Sequence, residues 1–182
     1  PFKISEEWKT YKGTLKSCKN CDHLYCNYEI SNDNLDNHYE SKDSPSLGIV
    51  SNSDKEELEN IISIMIDNKL KKENLKCIEI GPGDGSFISI LKKRGWKTYF
   101  YDKSRDVSDR LKKEHNEVDN KLKFDLVIIR HILEHINEPD DFLNLLKTNY
   151  MTKETLLHIE VPNWDYLDKD TDPLMCEHIQ QF

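Results

Sequence analysis

The residues best suited to chemistry form a glycine-rich segment near the middle of the sequence. Gly81, Gly83 and Gly85 recur there at every second position, and glycine lets a backbone turn sharply and approach a ligand closely. Glu79 and Asp84 place carboxylates beside the same turn. Because carboxylates repel a pyrophosphate and attract positive charge, we expect a cationic ligand rather than a dinucleotide. The simpler alternative is a tight turn between a strand and a helix that binds nothing.

A further acidic residue follows the glycine loop. The strand-like run 98–101 ends at Asp102, which lies seventeen residues after Gly85. An acidic residue about 20 residues beyond such a loop can accept hydrogen bonds from the ribose hydroxyls of a nucleoside. The loop and Asp102 together therefore predict a nucleoside cofactor site.

These features, with the apolar run 124–136, resemble the class I S-adenosylmethionine-dependent methyltransferases. The first motif of that superfamily is acidic-hydrophobic-Gly-x-Gly-x-Gly, and its cofactor carries a sulfonium and an ammonium but no phosphate. The resemblance implies that the run 124–136 is the fourth strand and the turn after it, which form the far wall of the cofactor site. It implies the following cofactor-binding residues: Glu79, Gly81, Gly83, Asp84, Gly85, Asp102 and Arg130.

Alternating helical and strand patterns are expected to position these residues. Apolar residues recur at helical spacing from residue 58 to 66, after a capping-box arrangement of Ser53 and Glu56. Strands are predicted at 78–80, 97–101, 126–129 and 156–161, and further helices at 86–94, 107–115 and 140–146. Strands with helices between them favour a parallel sheet covered on both faces.

The predicted fold is therefore α/β, with a Rossmann-like, doubly wound and mostly parallel sheet over residues 47–182. A small, irregular, cysteine-bearing module is predicted over residues 1–46. Only 22 residues separate Asp102 from Asp125, so the third strand of the superfamily is expected to be reduced or missing. The sequence also stops at Phe182, before two further strands of that fold, which predicts a sheet incomplete at its carboxyl-terminal side. A second copy of the chain could cover such an edge, so a homo-oligomer is left open.

Composition narrows the functional class. With 182 residues and a mass of 21.5 kDa, the chain can bury one core and carry a small appendage. Its net charge of −8 argues against a nucleic-acid partner, because such proteins carry basic patches. No apolar run is long enough to span a membrane and no signal peptide is visible, so we expect a cytoplasmic protein without a membrane partner.

The amino-terminal module contains a CxxC pair, Cys18 and Cys21, with His23 and Cys26 close by. Two thiolates on one turn can share a zinc ion, although four ligands within so short a loop would be crowded. Free cytosolic thiols are the alternative. The pair also resembles the second CxxC of the small zinc domain that opens the sugar C-methyltransferases of the superfamily. The first CxxC of that domain is absent here, so zinc is left open.

The carboxyl-terminal residues extend the resemblance to the sugar C-methyltransferases. The segment 176–182 resembles their Tyr-x-His-Glu-His motif, which implies that Glu177 and His178 are retained, while Met175 stands at the tyrosine position. Those enzymes methylate a carbon beside the keto group of a nucleotide-linked sugar. By this comparison His178 is the candidate base and Glu177 orients it, since imidazole titrates near neutral pH.

His131 is a third catalytic candidate, as a base or a hydrogen-bond donor after the fourth strand, with a structural role as the equal alternative. The sequence thus predicts S-adenosylmethionine-dependent methyl transfer to a small-molecule acceptor, best a nucleotide-linked sugar. The loss of the tyrosine keeps two alternatives open: O- or N-methylation of another metabolite, and a catalytically silent module that binds the cofactor or a partner. A nicotinamide dehydrogenase is disfavoured by the acidic loop.

Overall fold

A five-stranded parallel sheet forms the centre of the computed structural model, which describes residues 14–27, 52–118, 122–163 and 180–181. In chain order the elements are β1 (Thr14–Ser17), β2 (Leu24–Asn27), α1 (Asn52–Lys69), β3 (Lys76–Ile80), α2 (Ser86–Lys93), β4 (Lys97–Tyr101), α3 (Arg105–Leu111), β5 (Asn116–Glu117), β6 (Leu126–Arg130), a 3-10 turn (Leu133–His135), α4 (Pro139–Tyr150), β7 (Leu156–Glu160) and β8 (Gln180–Gln181). The Rossmann-like α/β prediction is confirmed.

The strand order of the large sheet is β5-β4-β3-β6-β7. The chain runs outward from β3 through β4 to β5, and then crosses to the other side of β3 for β6 and β7. The direction in which successive strands are added to the sheet therefore reverses between β3 and β6. In open α/β sheets a crevice opens at this reversal, beyond the carboxyl ends of the strands, and ligands bind there.

The central strands are buried on both faces, which explains why β3 and β6 read as nearly continuous apolar runs. Cys77 and Leu126 are register partners and pack with Phe87 and Leu91 of α2 on one face. The next pair, Ile78 and Val127, points to the opposite face, where α4 covers it. Because side chains alternate along a strand, one strand supplies both halves of the core.

The outer strands are shorter or more open. β5 has only two residues, Asn116 and Glu117, so the expected reduction of the third strand is confirmed. β7 is the last strand on the other side among the described residues, and its Ile159 side chain is 42% exposed. The expectation that a second copy covers an edge stays a prediction.

A second, three-stranded antiparallel sheet combines β1 and β2 with β8 from the carboxyl-terminal segment. The described part of the predicted irregular module is therefore a regular hairpin, whose strands of four residues each are too short to give a long periodic pattern. Gln180 of β8 connects this sheet to the core, because its side-chain amide donates to the carbonyl of Ile136 at 3.2 Å. The predicted division near residue 46 falls outside the described residues and stays a prediction.

Some predicted boundaries shift by a few residues. Ser53, predicted as an N-cap, lies one residue inside α1. The helix predicted at 107–115 begins instead at Arg105, and its N-cap is Ser104, whose hydroxyl accepts from the backbone N–H of Val107. No helix in the described part of the chain is long and apolar enough to cross a membrane.

Truncation of Leu91 tests the core formed by α2 and the sheet. Leu91 is fully buried, so Leu91→Ala is expected to lower the free energy of unfolding by about 2–5 kcal/mol, through lost burial and a residual cavity. The matched control is Leu58→Ala in α1, where the leucine is 52% exposed and the change should stay near 0.5 kcal/mol. Urea unfolding of both variants measures the difference. Equal losses would mean that α2 does not pack as described.

Candidate active site

The glycine loop follows β3, at the edge of the sheet where the reversal of strand order predicts the crevice. Gly81 has φ +63 and Gly85 has φ +76, a left-handed conformation that residues with a side chain rarely adopt. A Cβ on Gly81 would collide with the side chain of Ile132, and one on Gly85 would lie 2.5 Å from Leu111 Cδ2. The backbone therefore turns sharply and passes close to neighbouring side chains at both positions, while its predicted approach to a ligand stays a prediction.

Hydrogen bonds fix the loop to the elements around it. Asp84 Oδ1 accepts from the backbone N–H of Ser86 at 3.0 Å, which secures the first turn of α2. Arg110 of α3 donates from Nη2 to the carbonyl of Gly83 at 2.6 Å. The sequence analysis did not identify Arg110, because nothing local to α3 indicates which carbonyl it reaches.

Asp102 lies directly after β4, beside the glycine loop. The backbone N–H of Gly81 donates to the carbonyl of Tyr101 at 2.8 Å, which ties the loop to the end of β4. Asp102 Oδ1 accepts from the backbone N–H of Ser104 at 2.8 Å, so the carboxylate has a fixed orientation. Burial raises the pKa of Asp102, while the Ser104 hydrogen bond and the charge of Arg110 oppose this change.

Arg130, the last residue of β6, is the centre of a buried ionic network. Its Nε donates to Glu160 Oε2 at 2.7 Å and its Nη1 to Glu59 Oε1 at 2.9 Å. Its Nη1 also lies 3.9 Å from Glu79 Oε1, and its guanidinium carbon is 4.8 Å from the centre of the Phe87 ring. Arg130 therefore joins β3, β6 and β7 to both α1 and α2.

Glu79 is the least compensated member of this network. Its side chain is 2% exposed, and its Oε2 has no hydrogen-bond partner among the described residues. Burial raises the pKa of Glu79 to about 8, although the charge of Arg130 opposes this shift. A buried carboxylate with an unpartnered oxygen is stabilised by a proton or by an additional cation.

His131 begins the turn after β6 and contacts two carboxylates. Its Nε2 is 3.1 Å from Glu160 Oε1 and its Nδ1 is 3.5 Å from Glu134 Oε1. The imidazole side chain is 43% exposed, whereas Glu134 is 1% exposed and its carboxylate oxygens have no hydrogen-bond partner in the described part of the chain. His135 Nε2 lies 3.9 Å from the same oxygen, Glu134 Oε1.

Negative charge predominates in this crevice. The described carboxylates around the reversal point are those of Glu59, Glu79, Glu134 and Glu160, and they outnumber the cationic side chains that contact them, those of Arg130 and His131. Asp84 and Asp102 add further carboxylates at the loop and at the end of β4. A positively charged ligand would reduce this imbalance, whereas an anionic ligand would increase it.

The structure brings together all of the predicted residues of the glycine loop with Asp102, Arg130 and His131. Glu177 and His178 lie outside the described residues. Glu59 and Glu160 were missed by the sequence analysis. Glu59 sits within an amphipathic helix where a polar residue suggests a solvated face, yet it is 2% exposed and accepts from Ser86 Oγ at 2.8 Å.

Cys18 and Cys21 lie on the turn between β1 and β2. Backbone N–H groups of Asn20 and Cys21 lower the pKa of the Cys18 thiol. No group of three or more histidine, cysteine, aspartate or glutamate side chains in the described segments is arranged to hold a metal ion. The described residues therefore do not support the zinc prediction.

Replacement of Arg130 tests the ionic network. Arg130→Met leaves Glu59 and Glu79 buried without their cation, so the free energy of unfolding is expected to fall by about 3–5 kcal/mol. Arg94→Met is the matched control, because Arg94 pairs with Asp67 near the surface and should lose less than about 1 kcal/mol. Thermal and urea unfolding at neutral pH compare the two. Similar losses for both arginines would contradict a stabilising role for the network.

Solved structures of methyltransferases are similar to part of this chain. Plantazolicin methyltransferase BpumL, in complex with a pentazolic desmethylPZN analog and SAH, has a TM-score of 0.50 and 18% identity, over 73% of this chain and 52% of that chain. A SAM-dependent methyltransferase from Archaeoglobus fulgidus has a TM-score of 0.46 and 24% identity, over 59% of this chain and 53% of that chain. The chain spans about half the length of these proteins.

A third structure, of coclaurine N-methyltransferase bound to N-methylheliamine and SAH, has a TM-score of 0.42 and 12% identity, over 63% of this chain and 40% of that chain. No curated protein sequence matches this chain significantly. The family profile described as a methyltransferase domain matches residues 54–181, which is more than half of the sequence and includes the glycine loop, Asp102, Arg130 and His131. The protein therefore belongs to the methyltransferase domain family.

Proposed function

We propose that this protein binds S-adenosylmethionine in the crevice between β3 and β6 and transfers its methyl group to a small-molecule acceptor. The observation that carries the proposal is the acidic crevice, bordered by a glycine loop that approaches its neighbours without a Cβ. A ligand with a sulfonium and an ammonium suits the carboxylates there, and it carries no phosphate for them to repel. Membership of the methyltransferase domain family supports the choice of a methyl donor.

The chain's residues fit this cofactor in three ways. Asp102, fixed by Ser104, accepts hydrogen bonds from the ribose hydroxyls. Gly81, Gly83, Asp84 and Gly85 supply backbone that can approach the ligand closely. Glu79, with its unpartnered Oε2, supplies a buried carboxyl group whose ionised form a nearby cation would stabilise.

Arg130 acts indirectly in this proposal. Its guanidinium contacts Glu59 and Glu160 at hydrogen-bond distance, so it orients these carboxylates and stabilises the wall of the site. This role differs from the direct contact with the cofactor that the sequence suggested for Arg130.

When bound, the cofactor supplies an electrophilic methyl group on a sulfonium. The protein's contribution is to align the acceptor with that group and to exclude water, because methyl transfer depends chiefly on positioning. The chain must also remove a proton from the acceptor during or before the transfer.

For the acceptor we propose a nucleotide-linked sugar that is methylated on carbon. His178 removes the carbon-bound proton beside the keto group, while Glu177 orients the imidazole. The resulting enolate carbon bonds to the methyl carbon as the bond between that carbon and sulfur breaks, and S-adenosylhomocysteine is the leaving group. The resemblance at Cys18, Cys21, Glu177 and His178 supports this choice. Gln180 follows these residues in the chain and lies against the turn after β6, at the carboxyl edge of the sheet.

The two predicted domains have different roles in this proposal. Residues 47–182 carry the cofactor site and the proposed base, while the module of residues 1–46 helps to enclose the acceptor. The hydrogen bond between His23 and Gln180 supports this arrangement, because it connects the amino-terminal hairpin to the segment that follows His178.

Calorimetric titration of S-adenosylmethionine tests the cofactor site. We expect binding at micromolar strength, and at least about tenfold weaker binding for Asp102→Ala, a loss of about 1.4 kcal/mol or more. Asp109→Ala is the matched control, because Asp109 lies on the exposed surface of α3 and should leave the affinity unchanged. A folded protein that does not bind would overturn the proposal and leave a partner-binding module.

Transfer of a radiolabelled methyl group to nucleotide-linked keto sugars tests the acceptor. The expected product carries a methyl group bonded to carbon, and His178→Gln should lower the transfer rate by about 100-fold or more, as for loss of a general base. Deuterium exchange at the acceptor carbon without methyl transfer provides a separate assay of proton removal. A product methylated on oxygen or nitrogen would contradict the sugar C-methylation proposal and keep the methyltransferase proposal.

A further inference from the structure

We propose that His131 is a positioning residue, whose imidazolium bridges Glu134 and Glu160 and holds the turn after β6 against the glycine loop. This inference deepens the proposed function and rests on it for its effect on cofactor binding. It assigns His131 a role other than the base that the sequence left open. Proton removal from the acceptor then belongs to another group.

The contacts of His131 occupy both of its ring nitrogens. Nε2 faces Glu160 Oε1 at 3.1 Å, and Nδ1 faces Glu134 Oε1 at 3.5 Å. The Nε2 contact is a hydrogen bond and the Nδ1 contact is an ion-pair contact, and positive charge on the ring favours both. A neutral imidazole would present a lone pair to one of the two carboxylates, which is unfavourable.

The charged groups around His131 favour the same protonation state. Glu134 faces it from the 3-10 turn and Glu160 from β7, while Arg130 shares the Glu160 carboxylate. His135 lies 3.9 Å from Glu134, and His158 of β7 lies 3.9 Å from Glu160. The contacts with Glu134 and Glu160 raise the pKa of His131 to about 9, against the effect of burial. At neutral pH the ring therefore has no free lone pair for a proton.

The backbone at His131 also requires an anchor. Its φ is +53, in the left-handed region where a residue with a Cβ is strained. The backbone N–H of His131 donates to the carbonyl of Glu160 at 2.9 Å, and the ring contacts the side chain of the same residue. The two contacts stabilise the left-handed turn that follows β6.

The turn after β6 affects the cofactor site through Ile132, the residue that follows His131. Ile132 packs so closely over Gly81 that a Cβ there would collide with it. The position of Ile132, and with it one wall of the crevice, depends on the conformation at His131. Weakening the bridge should therefore loosen the wall and lower the affinity for the cofactor, without removing any group that contacts the acceptor.

The direction of the pH effect follows from the raised pKa. Because the pKa of His131 is higher in the folded protein than its usual value near 6.5, the bridge contributes fully below about pH 6.5. Its contribution is lost as the pH rises through about 9. A general base would behave in the opposite way, since it becomes active as it loses its proton.

The first experiment measures protonation directly. NMR titration of the protein labelled at histidine, with the His131 signal assigned by its absence in His131→Asn, should give a pKa near 9. In Glu160→Gln the value should move towards about 6.5, the ordinary value for histidine. A wild-type His131 that titrates near about 6.5 would overturn the inference. If Glu160→Gln fails to fold, the wild-type titration alone still decides.

The second experiment measures the effect on the site. Asparagine tolerates the left-handed conformation, so His131→Asn removes the charge with little backbone cost. We expect it to bind S-adenosylmethionine about fivefold more weakly at pH 7, which is about 1 kcal/mol. The wild-type protein should approach the affinity of the variant as the pH rises through about 9, and their affinities should then be equal.

The amino group of S-adenosylmethionine itself titrates at about pH 8, and its effect on affinity is common to all variants. The ratio of the wild-type affinity to the variant affinity therefore isolates the contribution of His131. His135→Asn is the matched control and should keep the wild-type pH dependence, because it leaves both contacts of His131 in place. A ratio that does not change with pH would overturn the inference. Absence of cofactor binding in every variant would instead overturn the proposed function, while the NMR titration would still decide the state of His131.

Discussion

The ionic network around Arg130 is the constraint on which the site depends. A guanidinium at the end of β6 is 12% exposed, and it is tolerated there because Glu59, Glu79 and Glu160 surround it and the Phe87 ring covers one face. Each partner comes from a different element. The network therefore fixes the relative positions of two helices and three strands at the edge where the strand order reverses.

This arrangement gives the crevice its chemical character. A purely apolar crevice edge would have stabilised the fold with less cost of desolvation, since buried ion pairs often contribute little net stability. Burial raises the pKa of Glu79, the neighbouring carboxylates add to this shift against the charge of Arg130, and one oxygen of Glu79 has no hydrogen-bond partner among the described residues. The network thus maintains a local negative charge that a cationic ligand can neutralise, at some expense in stability of the free protein.

A local sequence pattern was enough to predict the glycine loop, whereas the ionic network joins residues that are far apart in the sequence. Gly81 and Gly85 were identified from the sequence because their spacing between a strand and a helix has a backbone requirement, which their positive φ values confirm. The pairing of Arg130 with Glu160 depends instead on the register of β6 against β7, which periodicity does not specify. Glu59 lies 71 residues from Arg130, so no sequence pattern connected them. The small sheet was missed for the same reason, since β8 completes it from far along the chain.

The small sheet has a consequence for the order of folding. An isolated two-stranded hairpin is marginally stable in water, so β1 and β2 depend on the third strand and on contacts with the core. His23 and Gln180, which connect the hairpin to β8, are 157 residues apart in sequence. Closing so long a loop is entropically costly, and contacts of this kind usually form late. During synthesis the hairpin emerges early and is expected to remain incomplete until the central sheet has formed and β8 has left the ribosome.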